Sequence, residues 1–110
     1  MSHRLVAYAL ALLFLLAFLP GCDNPADLTF DNRSEKVVVC SLDGGEVARL
    51  EPHKHLNMSV EEGDHTAAIA LEDGTVLFSQ LFHIKAGQYL TYYVLSDLTV
   101  LAEGGKDGVD

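Results

Sequence analysis

The side chains able to do chemistry are two thiols, a few imidazoles, a carboxylate cluster and scattered hydroxyls. His53 and His55 stand two apart, which puts both rings on one face of an extended chain. Met58 lies three residues on, and His65 falls across a predicted hairpin. Imidazole with thioether is a donor set that suits copper. Against a metal site, Pro52 makes a turn that interrupts the alternation. Glu61, Glu62 and Asp64 surround Gly63, but the run lacks the alternating acids of a calcium loop, so it reads as a solvated acidic turn. Ser34, Ser41, Ser59, Ser79 and Ser96 lie in no Gly-x-Ser-x-Gly setting. A phosphate-cradling glycine loop is also lacking. The residues therefore predict neither an enzyme nor a cofactor.

The chain sets 7 Lys and Arg against 16 Asp and Glu, a net charge of −9. Arg4 is the only charged residue among 1–21, so the remainder carries −10. Nucleic acid is thereby excluded as a partner, because phosphate backbones need clustered Lys and Arg. Residues 5–19 form an unbroken apolar run, LVAYALALLFLLAFL, of 15 residues. A bilayer-spanning helix needs roughly 20. A basic start, a short apolar stretch and a small residue before a cut define a secretory signal.

Leu19-Pro20-Gly21-Cys22 closes that run and resembles the lipobox of bacterial lipoproteins. Pro20 departs from the pattern, which favours Ala, Ser, Thr or Val there. The resemblance implies export, cleavage before Cys22 and acylation of its thiol by palmitate-type chains. Two or three chains anchor stably where one is marginal. Asp23 after the cysteine resembles the signal that retains enterobacterial lipoproteins in the inner membrane. The implied location is the cell envelope, on the periplasmic face of that membrane.

Four segments follow: a signal peptide at 1–21, a lipidated cysteine and tether at 22–27, a folded domain at 28–102 and a disordered tail at 103–110. Within the domain, turn signals recur about every ten residues, the spacing of an all-β sandwich. The predicted strands are 28–32, 36–42, 46–50, 56–60, 65–71, 75–85, 89–95 and 98–102. Asp73-Gly74 is the strongest hairpin signal and predicts a type I′ turn. Gln80 interrupts an apolar face and predicts a bulge within 75–85. The predicted core is Phe30, Val38, Cys40, Leu42, Leu50, Val60, Ile69, Leu71, Phe82, Ile84, Tyr92 and Val94. Cys40 thus reads as a buried, unpaired thiol. Alternation turns Tyr89 and Tyr93 outward, where tyrosine supplies contact area at low entropic cost.

The turn residues Leu42-Asp43-Gly44, Pro52, Gly63-Asp64-His65, Asp73-Gly74 and Ala86-Gly87 resemble those of PEGA-type, immunoglobulin-like sandwich modules of bacterial envelope proteins. His53 departs from that pattern, which has glycine after the proline. The resemblance covers residues 36–95. It implies a small immunoglobulin-like β-sandwich of seven to eight strands after an N-terminal signal helix, and a surface role. The expectation is a membrane-anchored, non-enzymatic binding or structural accessory, with Tyr89 and Tyr93 meeting an envelope partner protein. The alternative is an envelope copper-binding protein using His53, His55 and Met58.

Overall fold

A computed structural model describes residues 25–105. The signal segment, Cys22 and residues 106–110 of the tail lie outside them. Eight strands form: β1 (Ala26–Asn32), β2 (Val38–Leu42), β3 (Gly45–Leu50), β4 (His55–Val60), β5 (Gly63–Leu71), β6 (Val76–Ile84), β7 (Tyr89–Val94) and β8 (Val100–Gly105). They make two four-stranded sheets, β4-β1-β7-β8 and β3-β2-β5-β6, a small β-sandwich. No helix occurs among the described residues.

Period-two alternation produces this arrangement, because successive side chains of a strand point to opposite faces. In β1 the inward set is Ala26, Leu28, Phe30 and Asn32, all essentially buried. In β7 it is Leu90, Tyr92 and Val94. β1 and β7 run parallel, with Phe30 opposite Tyr92. The hairpins β2–β3, β5–β6 and β7–β8 are antiparallel. Tyr92 is the centre of the core, with its ring 5.9 Å from Phe30, 5.0 Å from Phe78 and 6.2 Å from Phe82. Burying a large apolar side chain of this kind contributes about 2–3 kcal/mol.

Polar groups inside the sandwich are matched. Tyr92 donates its hydroxyl proton to Oε1 of Gln80 at 2.7 Å, and burial pushes the phenol's pKa up. Gln80 therefore faces inward as the partner of a buried phenol rather than marking a bulge. The bulge in β6 lies earlier: Ile69 opposes Phe78 and Ala70 opposes Val76, which leaves Leu77 as the extra residue. A second bulge leaves Val47 extra in β3. At the end of β1, Asn32 is fully buried. Its Nδ2 donates to the carbonyls of Lys36 (2.7 Å), Leu50 (3.0 Å) and Glu51 (3.1 Å). Its Oδ1 accepts the Ser34 amide at 3.0 Å and the Ser34 hydroxyl at 2.7 Å.

Several boundaries differ from expectation. β1 starts at Ala26, so Ala26 and Asp27 belong to the sheet and not to the tether, held by pairing to Val60 and Ser59. β8 runs to Gly105, so Glu103, Gly104 and Gly105 are strand and not tail, paired with Thr91, Leu90 and Tyr89. Leu42 and Leu71 end their strands at the rim and are only partly buried. Leu28, Ala67 and Leu90 join the core instead.

The turn chemistry is also redistributed. Positive φ at both central residues occurs in Asp43-Gly44 (52° and 84°) and not in Asp73-Gly74, where only Gly74 is positive at 91°. Leu71 and Thr75 close a three-residue loop through Leu71 N–H to Thr75 O at 2.8 Å, a type I turn followed by a left-handed residue. The Leu95–Thr99 closure repeats it with Leu98 in the left-handed place, at φ 69°.

Candidate functional site: the outer face of the β4-β1-β7-β8 sheet

Cross-strand register fixes which side chains share this face. One row reads His55, Asp31, Tyr93, Leu101; the next Asn57, Thr29, Thr91, Glu103; the third Ser59, Asp27, Tyr89. Tyr89 and Tyr93 both point outward, and Tyr89 is 46% exposed. Their rows stand four residues apart along β1, at Asp27 and Asp31, a separation of about 13 Å.

Tyr93 does not stand alone. The Arg33 guanidinium lies 4.4 Å from its ring centre, a cation–π geometry. Arg33 Nε donates to Asp31 at 3.2 Å, and the Tyr93 hydroxyl donates to Glu103 at 3.2 Å. Desolvation, then the charge and hydrogen bond of Glu103, hold the phenol above its ordinary pKa, so it stays a donor. In the middle row Asn57 donates to the Thr29 hydroxyl at 2.7 Å. The face thus offers one open aromatic ring, one aromatic ring already stacked on a guanidinium, and hydroxyls and carboxylates that mostly accept. Such groups can stack on and hydrogen-bond to another surface.

Cross-strand register brings Arg33, Asp31 and Glu103 to Tyr93, and local sequence contains no sign of it. Glu103 in particular falls where a tail was expected.

The residues of the copper alternative are placed differently. Met58 points inward and packs on the core, while His55, of opposite parity in β4, is exposed. His53 lies in the preceding turn at φ 64°, its Nε2 2.9 Å from a Glu35 carboxylate oxygen. Alternation therefore sends the thioether and the His55 ring to opposite faces. Of the acidic turn, Glu62 accepts the Ala86 amide at 3.3 Å and Asp64 meets His83 Nδ1 at 2.8 Å. Among the described residues no three His, Cys, Asp or Glu side chains converge as a metal site. Cys40 is free and buried, and burial raises its thiol pKa to about 12. A depression of about 410 Å³ lies between the β1–β2 loop and the β5–β6 turn, lined by Glu35, Lys36, Val37, Leu71, Glu72 and Asp73. Its polar lining is three carboxylates and the Lys36 ammonium. No protein-family model matches the chain, and no curated protein matches it.

Proposed function

We propose that the chain is an exported, lipid-anchored envelope module that binds a partner protein through the outer face of the β4-β1-β7-β8 sheet. The anchoring half rests on the Leu19-Pro20-Gly21-Cys22 segment after a 15-residue apolar run. The binding half rests on one observation: an exposed Tyr89 shares a face with a Tyr93 held in place by Arg33 and Glu103. Aromatic side chains with fixed rotamers lose little entropy on binding, which is what makes such residues energetic centres of interfaces. The surrounding carboxylates and hydroxyls suit a partner surface rich in hydrogen-bond donors.

The test compares the two outer faces in intact cells. A photo-crosslinking residue at Tyr89 is expected to trap one predominant partner, and the same residue at Ser79, outward on β6, is expected not to. Tyr89→Ala with Tyr93→Ala should reduce capture about tenfold or more, the scale of one interface centre lost. Equal adducts from both faces, or undiminished capture by a folded double variant, would refute the assignment.

A further inference from the structure

His65 lies on the inward side of β5 at the rim of the core, its ring 5.6 Å from Phe82. Nδ1 is 2.6 Å from Asp43 Oδ2 and Nε2 is 2.6 Å from the Glu61 carbonyl oxygen. A carbonyl oxygen can only accept, so Nε2 must carry hydrogen. Asp43 is held ionised: its other oxygen accepts the Thr66 amide at 2.9 Å, and its pKa lies below the usual carboxylate value, mainly through the His65 bond. An ionised carboxylate also only accepts, so Nδ1 must carry hydrogen too. Both nitrogens protonated is the imidazolium.

We infer that His65 is a proton-operated latch joining the tip of the β2–β3 hairpin to the β4–β5 turn, closed as the imidazolium and open at one end as the neutral ring. A neutral imidazole has one N–H and keeps one bond. The bond to an ionised acceptor is the stronger, so the proton stays on Nδ1, facing Asp43. Nε2 then presents a lone pair to the Glu61 carbonyl 2.6 Å away, and the contact becomes repulsive. The hairpin tip remains fixed, because the Asp43 amide also donates to Thr66 O at 2.8 Å. The β4–β5 turn is what moves, with Gly63 at φ 134° beside it.

The groups facing the ring agree in sign. Asp43 comes from the β2–β3 turn and Glu61 from the β4–β5 turn, both acidic. From β6 the facing residue is uncharged Phe82, while His83 is engaged by Asp64. The Asp43 hydrogen bond raises the His65 pKa above 6.5, outweighing desolvation. The latch is therefore closed from just above the lowered pKa of Asp43 up to the raised pKa of His65, and opens as pH rises through the latter.

Nuclear magnetic resonance of the full-length protein in detergent tests this. At pH 6 both His65 ring nitrogens should be protonated. As pH rises, Nε2 alone should lose its proton, and amide protection over 61–63, corrected for intrinsic exchange, should fall roughly tenfold, as for one charged hydrogen bond lost. Asp43→Asn should move the transition to lower pH. The wild-type titration decides the matter even if the variant folds poorly. An unprotonated Nε2 at pH 6, or constant protection of 61–63 across the His65 titration, would overturn the inference.

Discussion

Removing the side-chain amide of Asn32 tests how much of the sandwich's stability depends on one buried polar residue. Asn32 joins the end of β1, the β1–β2 loop and the end of β3 through two donor hydrogens and one acceptor oxygen. Asn32→Ala removes the buried bond to the Leu50 carbonyl and releases Ser34 from its anchor. Four net hydrogen bonds at about 1 kcal/mol each set the loss, less a share recovered by water at Lys36 and Glu51, which leaves roughly 3 kcal/mol. A domain of this size has a total stability of about 4–12 kcal/mol, so the variant loses a large fraction. With a urea slope of about 1 kcal/mol/M, the midpoint should fall by about 3 M, followed by near-ultraviolet dichroism of the tyrosines. Asn32→Asp is a nearly isosteric control. At neutral pH it points a carboxylate at three carbonyl oxygens and should be worse than Ala. Burial among acceptors raises the folded-state pKa of such an acid, so its defect should shrink as pH falls and a protonated carboxyl regains one donor. A midpoint shift under about 0.5 M for Ala, or Asp milder than Ala at pH 7, would refute the reasoning.

Two further outcomes are expected. Cys22→Ala should abolish metabolic palmitate labelling and leave an uncleaved precursor, read by labelling and gel mobility; persistent labelling would end the anchoring proposal. Cys40, buried with its pKa raised from 9.0 to about 12, should resist thiol reagents at pH 8 until the protein is denatured. Because the folded state holds that proton more tightly, stability should decline as pH rises from 9.0 towards 12, and rapid labelling of the folded chain would contradict burial.

Local pattern carried most of the strand positions, because alternation and turn residues are short-range. Val38 and Cys40, or Tyr92 and Val94, announce their face by spacing alone. What escaped was decided by distant partners. Nothing near Asp27 says that it pairs with Ser59 on one side and Tyr89 on the other, so β1 looked shorter than it is. The parallel β1–β7 pairing has no connecting turn to reveal it. Gln80 looked like an interruption because its reason, the Tyr92 hydroxyl, lies twelve residues away. Asn32 closed a predicted strand and Ser34 belonged to no motif, yet both are buried, for reasons that lie in distant carbonyls. His53 shows the reverse case: glycine is the natural residue where φ is positive, and at 64° the histidine accepts a backbone that a glycine would adopt without cost. Of the proposed binding face, Tyr89 and Tyr93 were legible from parity, whereas Arg33 and Glu103 reach Tyr93 only through folding.

The early start of β1 sets a short leash. With Cys22 acylated as proposed, only Asp23, Asn24 and Pro25 separate the lipid from the first sheet residue, Ala26, a reach of about 14 Å at full extension. The end of the sandwich where β1 enters also bears Val60 and Tyr89 in register with it, followed or preceded by the β4–β5 and β6–β7 turns. Where the strands rise from the bilayer, that end rides nearest the headgroups, and repulsion of its acids Glu61, Glu62 and Asp64 by anionic lipid draws the tether out. Tyr93 then sits about 13 Å farther from the surface than Tyr89. A partner would have to be found by lateral diffusion within the same membrane, or have a segment that stoops to within a few nanometres of it.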